Sequence, residues 1–474
     1  MSDPRRTLNL FDTIMIVSGS MIGSGIFIVS ADMLRVLGSP FWVLMCWILT
    51  GVITLLAALS YGELAGMMPD AGGQFIYLKK AYGRLCAFVY GWTVFMVIQT
   101  GVIAAVAVAF ARFTGVLFPF FDEKHVLFSI GKFSLSTTQL LAVICIVFLT
   151  FLNSRGIQNG KMIQRIFTST KILALAALIL LGFSAGMKSD FWHTNMQRSF
   201  SSGVTDGTNG VAIMLAMGVA LIGSLFSSDA WNNVTFIAGE IKEPQKNIPL
   251  GLLLGVLLVT LLYVLANVAY FMMLPAFGDP QGATALERGI AYAQNDRVGT
   301  AALSTVFGNL SSSLMAVLIV ISTFGCNNGL ILSGSRLFQS MANDGLFFRQ
   351  AAKLNKYGVP GASLWYQALW ASVLCLSGSY GDLLDYCTFS SLVFYMITIS
   401  TLFYFRIKQP ETPRPYKAFG YPLFPALYII ITLAICTDLL IFKPKHTMLG
   451  LVIMLIGIPV FYLFNRKSYQ NSSK

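Results

Sequence analysis

The chain has 474 residues, 56% of them hydrophobic and only 11% charged, with a mean hydropathy of +0.71. A soluble domain carries roughly twice that charged fraction, so the composition excludes a soluble globular enzyme or binding module. The formal net charge of +12 would point to nucleic acid in a soluble protein, but here the basic residues segregate by connector and describe the sides of a membrane.

Twelve apolar runs follow one another, over 10–34, 40–67, 84–117, 136–153, 163–186, 210–239, 248–274, 303–339, 361–378, 382–405, 422–442 and 447–464. A run of about 20 apolar residues crosses a hydrocarbon core of about 30 Å. The expected fold is therefore an all-α polytopic membrane protein with twelve transmembrane helices. The connectors are too short to hold a soluble domain. The first run is too long for a cleavable signal peptide and lacks a small-residue cleavage site. Arg5, Arg6, Lys79, Lys80, Arg84, Lys242, Lys246, Arg349, Lys353, Arg414 and Lys417 fall on one side, and acidic residues such as Asp122, Asp190 and Asp279 on the other. The positive-inside rule then places both termini in the cytoplasm.

The first run carries Gly19-Ser20-Met21-Ile22-Gly23-Ser24-Gly25-Ile26-Phe27 at its centre. Each glycine costs a helix about 1 kcal/mol against alanine. A helix that breaks at mid-membrane frees backbone groups that lipid cannot satisfy, so protein or a polar cavity must cover them. The competing reading is a packing face, because Gly19 and Gly23 form a GxxxG pair.

The fifth run holds Lys171, about two turns in by its apolar boundary. An intramembrane lysine costs roughly 2.5–3.5 kcal/mol on insertion scales and needs a partner or a task; the alternative is snorkelling to the inner face.

The sixth run matches the first. Gly223-Ser224-Leu225-Phe226-Ser227-Ser228-Asp229-Ala230-Trp231-Asn232-Asn233 places serines, an acid and two amides where apolar residues belong. Runs one and six are five apart, and an odd offset inverts the second unit in the membrane. Broken helices in corresponding positions of inverted halves point to a transporter site at the bilayer midplane. Freed N–H groups suit a carboxylate, and freed carbonyls suit an ammonium. Together they describe an α-amino acid. Asp229 is costly there unless a cation arrives, and a substrate guanidinium or ammonium is such a cation. Pairing with a neighbouring amide such as Asn232, or carrying a proton, are the competing roles.

These residues carry a resemblance. Gly23-Ser24-Gly25-Ile26-Phe27 resembles the first-helix signature of the amino acid–polyamine–organocation (APC) superfamily. Trp231-Asn232, with Glu240-Ile241-Lys242-Glu243-Pro244-Gln245-Lys246-Asn247-Ile248-Pro249, is similar to its L-type amino acid transporter branch. Tyr61-Gly62-Glu63-Leu64, Gly72-Gly73-Gln74-Phe75, Ser335-Arg336-Leu337-Phe338 and Arg406-Ile407-Lys408-Gln409-Pro410-Glu411 add to it in order.

The resemblance implies a five-plus-five inverted repeat of the LeuT type (1–186 and 210–405) with two further helices (422–464), and helices 1 and 6 broken. It implies that the amides of Ser24, Gly25 and Ile26 hold a substrate carboxylate. The carbonyls of Met21, Phe226 and Ser227 would take its ammonium, and Phe226 would gate the outer side. Asp229 and Asn232 join the substrate site, and Lys171 stands where sodium-coupled relatives hold sodium. Gln99, Asn327, Asn328, Cys387 and Phe389 are further pocket candidates, and equally candidates for interhelical hydrogen bonds or packing, whereas Glu63 reads as structural.

The implied activity is sodium-independent exchange of neutral and possibly cationic L-amino acids by alternating access. Proton-coupled uptake is the alternative, and a non-transporting amino acid sensor a remote one. No cofactor or metal is implied. Animal members of the branch pair with a glycoprotein through a cysteine between spans three and four. The loop from Pro119 to Phe133 has none, so no disulfide-linked heavy chain is expected, and a free-standing prokaryotic carrier of the inner membrane is the implied form. The seven cysteines lack metal-ligand spacing, and with three scattered histidines they argue against an enzyme.

Overall fold

The computed structural model describes residues 6–122, 125–130, 133–198, 210–376, 380–442 and 444–472. Its helices are α1 (Leu10–Met21), α2 (Val29–Leu37), α3 (Pro40–Met67), α4 (Gln74–Thr93), α5 (Gln99–Leu117), α6 (Thr137–Ser154), α7 (Ile157–Gly186), α8 (Phe191–Arg198) and α9 (Gly210–Ser227). They continue with α10 (Pro244–Met273), α11 (Ala285–Arg288), α12 (Val298–Phe307), α13 (Leu310–Asn343), α14 (Gly361–Leu376), α15 (Tyr380–Lys408), α16 (Leu423–Phe442) and α17 (Pro444–Ser472). Ten helical runs are long and apolar enough to cross a membrane. The first expected span is not among them because it is cut into α1, a 3-10 turn (Gly25–Phe27) and α2. The ninth, α14, has 16 described residues.

The architecture is the expected all-helical one, with one short antiparallel hairpin, β1 (Val126–Ile130) and β2 (Phe133–Ser136), in the loop before α6. Three expectations need correction. The run 303–339 is not one helix, because Gly308, at φ 53°, separates α12 from α13. The connector 275–302 is not simple loop, since α11 and the start of α12 lie in it. Lys171 is not two turns into its helix. That helix begins at Ile157 with a polar stretch, 157–162, that hydropathy excludes, which places Lys171 about 21 Å along it at 1.5 Å per residue.

Local signals account for the helix ends near the breaks. Asn9 caps α1 in a reciprocal box with Asp12 (2.9 and 3.0 Å). α4 runs through Gly83, at φ 85°, where the expected third span starts. A π turn, Val94–Ile98, joins α4 to α5. With no hydrophobic drive between helices in lipid, close backbone approach does the packing. A Cβ on Gly19 would fall 2.1 Å from Gln164 of α7, and one on Gly255 of α10 2.6 Å from Val17. The packing reading of the first glycine therefore holds for Gly19, alongside the break.

At one end of the bundle the segment before α1 is tied to the end of the sixth span. Leu8 and Ile241 form a parallel bridge, with Leu8 N–H donating to the Glu240 carbonyl (3.0 Å) and Lys242 N–H to the Leu8 carbonyl (2.7 Å). Asp12 pairs with Lys161 (2.9 Å) and Arg165 of α7, and Glu240 with Arg336 of α13. Across the molecule, Arg35 at the end of α2 donates to Asp296 (2.6 Å) and to the Ala291 carbonyl (2.8 Å).

Candidate functional site

The two breaks meet. α1 ends where Ile22 turns to an extended ψ of 98°, and α9 ends at Ser227, followed by a 3-10 run, Trp231–Glu240. A Cβ on Gly25 would lie 2.1 Å from the Ser227 Oγ and 2.8 Å from its Cβ. Only a glycine permits that approach. Ala230 makes the turn in the left-handed region at φ 66°, ψ 8°, a conformation costly to a residue with a Cβ.

The carbonyls freed at the first break each meet a donor from another helix. Lys171 Nζ donates to the carbonyls of Gly19 (2.5 Å) and Ile22 (2.7 Å). Cys326 Sγ lies 3.0 Å from the Ser20 carbonyl, and Ser322 Oγ donates to Ile22 (3.1 Å) and Gly23 (3.0 Å). Tyr263 Oη of α10 sits between the carbonyls of Met21 (3.2 Å) and Ser227 (3.1 Å), bridging the two broken helices. The Phe226 carbonyl takes the Asp229 N–H (3.1 Å). Lys171 is buried and points across the protein, not towards the inner face.

The amides stand differently. Among the described hydrogen bonds, the N–H groups of Ser24, Gly25 and Ile26 have no backbone acceptor, whereas Phe27 N–H closes onto Ser24 (3.1 Å) and Ile28 N–H onto Gly25 (3.0 Å). Those three amides begin a short helical turn and are suited to an anion. A cavity lies against them, lined by Met21, Gly23, Ser24, Gly25, Phe226, Ser227, Asp229 and Cys326. The Ile26 side chain is buried in the core instead.

Asp229 also borders two other cavities. One, walled by Tyr90, Val94, Ile98, Val102, Phe236 and Phe394, includes Gln74, Gln99, Asn232 and Asn233. The π turn supplies part of that wall, in keeping with the frequency of such turns at functional sites. The other is rich in hydroxyls: Thr54, Ser228, Thr388, Ser391, Tyr395 and Tyr428. Tyr395 Oη donates to Asp229 Oδ1 (2.6 Å) and Ser391 Oγ to Oδ2 (3.4 Å). Asn232 is not the direct partner of Asp229. Its Nδ2 donates to Gln74 Oε1 (3.1 Å) and its Oδ1 lies 3.1 Å from Tyr395 Oη.

The remaining candidates divide. Gln99 donates to the Leu330 carbonyl (2.7 Å) at a cavity wall. Asn328 donates to Gly160 and Gln164 (3.0 Å each), and Cys387 Sγ lies 3.2 Å from the Val97 carbonyl. Phe389 and Asn327 are buried away from the three cavities. Glu63 is a hub, accepting from Arg406 (2.7 and 2.6 Å) and the Ala418 N–H (2.6 Å), with Arg414 at 3.2 Å. Tyr263, Ser322, Cys326, Ser391 and Tyr395 escaped the sequence reading, because nothing marks a single hydroxyl or thiol in an apolar span as facing a break. Asp438 escaped it too, although a carboxylate in a span is itself a signal. It is buried in α16 against Gly218.

With this geometry in view, likeness to known proteins is specific. The model of a family described as amino acid permease matches residues 8–464. The large neutral amino acids transporter small subunit 2 of Homo sapiens is 30% identical over 464 residues, covering 97% of this chain and 80% of that protein. The Asc-type amino acid transporter 1 of Mus musculus is 27% identical over 464 residues (97% and 81%). The b(0,+)-type amino acid transporter 1 of Mus musculus is 26% identical over 460 residues (97% and 87%). The chain belongs to the amino acid permease family of the APC superfamily. It is a multi-pass membrane protein of a transporter family and not an enzyme.

Proposed function

We propose that this chain is a sodium-independent exchanger of neutral and cationic L-amino acids, working by alternating access from a five-plus-five inverted repeat with two additional helices. The observation that carries the reading is Lys171, whose Nζ contacts the carbonyls of Gly19 and Ile22. A fixed ammonium there does what a bound sodium ion would do for the same carbonyls, so no cation need be taken from solution. The amides of Ser24, Gly25 and Ile26 hold the substrate carboxylate, and the Met21, Phe226 and Ser227 carbonyls receive its ammonium beside Tyr263. Each carbonyl has a second lone pair for that purpose. Phe226, on the wall of the same cavity, gates the outer side. Asp229 reads a positive charge on the substrate side chain.

The basic connectors favour cytoplasmic termini, and the carrier works in a cell membrane without a disulfide-linked partner, because the loop between spans three and four has no cysteine. Proteoliposomes test the exchange reading. Labelled leucine should enter vesicles preloaded with unlabelled amino acid, in choline as in sodium medium. Uptake that requires sodium overturns the role of Lys171. Uptake into empty vesicles driven by a pH gradient replaces exchange with proton coupling, and binding without flux makes the protein a sensor.

A further inference from the structure

We propose that Tyr395 is a specificity-determining residue, which aims the Asp229 carboxylate at the charged end of a cationic side chain. The inference rests on the reading of Asp229 as a charge reader. Among the described residues no lysine or arginine forms an ion pair with Asp229, and the carboxylate borders all three cavities of the site. Among the described residues its side-chain donors are two neutral hydroxyls, Tyr395 at 2.6 Å on Oδ1 and Ser391 at 3.4 Å on Oδ2. An ionised carboxylate offers about four acceptor positions. The two hydroxyls and the Ala230 N–H, which also faces the carboxylate, leave at least one acceptor position for the N–H of a cationic side chain.

The hydroxyl of Tyr395 is well placed to set that direction. Its ring packs between Trp231 (centroids 5.2 Å apart) and Tyr61 (6.1 Å), on the segment that follows the break in the sixth span and on α3. The same hydroxyl lies 3.1 Å from Asn232 Oδ1, whose amide is itself held by Gln74. Its single hydrogen serves one acceptor at a time, and the 2.6 Å separation assigns it to Asp229. Tyr395 thus positions the acid through its hydroxyl, while its ring borders both the aromatic-walled and the hydroxyl-rich cavities. Removing the hydroxyl and keeping the ring therefore separates charge reading from packing.

The test compares exchange of arginine, lysine and leucine by wild type, Tyr395→Phe and Asp229→Asn in preloaded proteoliposomes. Losing a hydrogen bond to a charged group should raise the arginine KM of Tyr395→Phe about tenfold, with the leucine KM and both maximal rates within about twofold. Tyr395→His, which restores a donor, should recover part of the arginine affinity. Should Tyr395→Phe fail to fold, Ser391→Ala removes the longer bond and should give a smaller shift of the same arginine-selective kind. Equal loss of arginine and leucine would make Tyr395 a packing residue and overturn the proposal. Unchanged arginine KM in Tyr395→Phe, with arginine lost in Asp229→Asn, overturns the role of Tyr395 and leaves that of Asp229 standing. Arginine transport intact in Asp229→Asn, or absent from wild type, overturns both.

Discussion

The ammonium of Lys171 lies 2.5 Å from the Gly19 carbonyl and 2.7 Å from that of Ile22, so one buried charge closes off the end of α1. A methionine of similar length keeps the packing and removes the donors. Each bond from a charged group to a carbonyl is worth roughly 1.5–3 kcal/mol. Lys171→Met should therefore lower exchange at least about tenfold while the protein still elutes as a single species. Unchanged counterflow would show that the carbonyls tolerate being left alone.

Gly25 and Gly23 make opposite predictions from one stretch. A Cβ at Gly25 falls 2.1 Å from Ser227 Oγ, whereas one at Gly23 meets only the Cys326 Sγ at 3.9 Å. Gly25→Ala should abolish substrate-protected labelling and exchange by forcing the breaks apart. Gly23→Ala should retain exchange within a few-fold of wild type. Equal behaviour of the two would mean that the breaks do not approach in this way.

Much of this arrangement was legible in the sequence. Glycine and serine crowding in two apolar runs located both breaks, and the charge of Lys171 and Asp229 marked them as unusual. What stayed hidden was the set of partners. Tyr263 joins Met21 to Ser227 from 36 residues beyond the latter in sequence, and no spacing rule reaches that far. Polar end segments such as 157–162 belong to helices that project past the apolar layer, so hydropathy trimmed them and misplaced Lys171. The split between α12 and α13 rests on one glycine with a left-handed backbone, which an apolar window averages away.

Ala230 holds φ 66° between the two halves of the sixth span, and this strain amounts to roughly 1–2 kcal/mol for a residue with a Cβ. Ala230→Gly removes the Cβ and should raise the melting temperature or leave it unchanged. Ala230→Val adds branching in the same conformation and should lower it by several degrees, with loss of exchange. Thermal unfolding in detergent, followed by fluorescence, decides between them.

Glu63 is buried and engages Arg406, Arg414 and the Ala418 N–H. Removing one partner of such a buried cluster costs about 3–5 kcal/mol. Glu63→Gln should reduce the folded yield sharply, while any protein recovered keeps wild-type KM values for leucine and arginine. A changed substrate preference with normal yield would give Glu63 a part in recognition instead.

The parallel bridge between Leu8 and Ile241 makes the segment before α1 a mechanical extension of the second half of the sixth span. Anything that tugs on the chain just upstream of Thr7 acts on both cut helices at once, through backbone bonds that no side-chain substitution removes. A bulky group attached there is therefore a load on both broken helices, so where this protein is labelled bears on how those helices move.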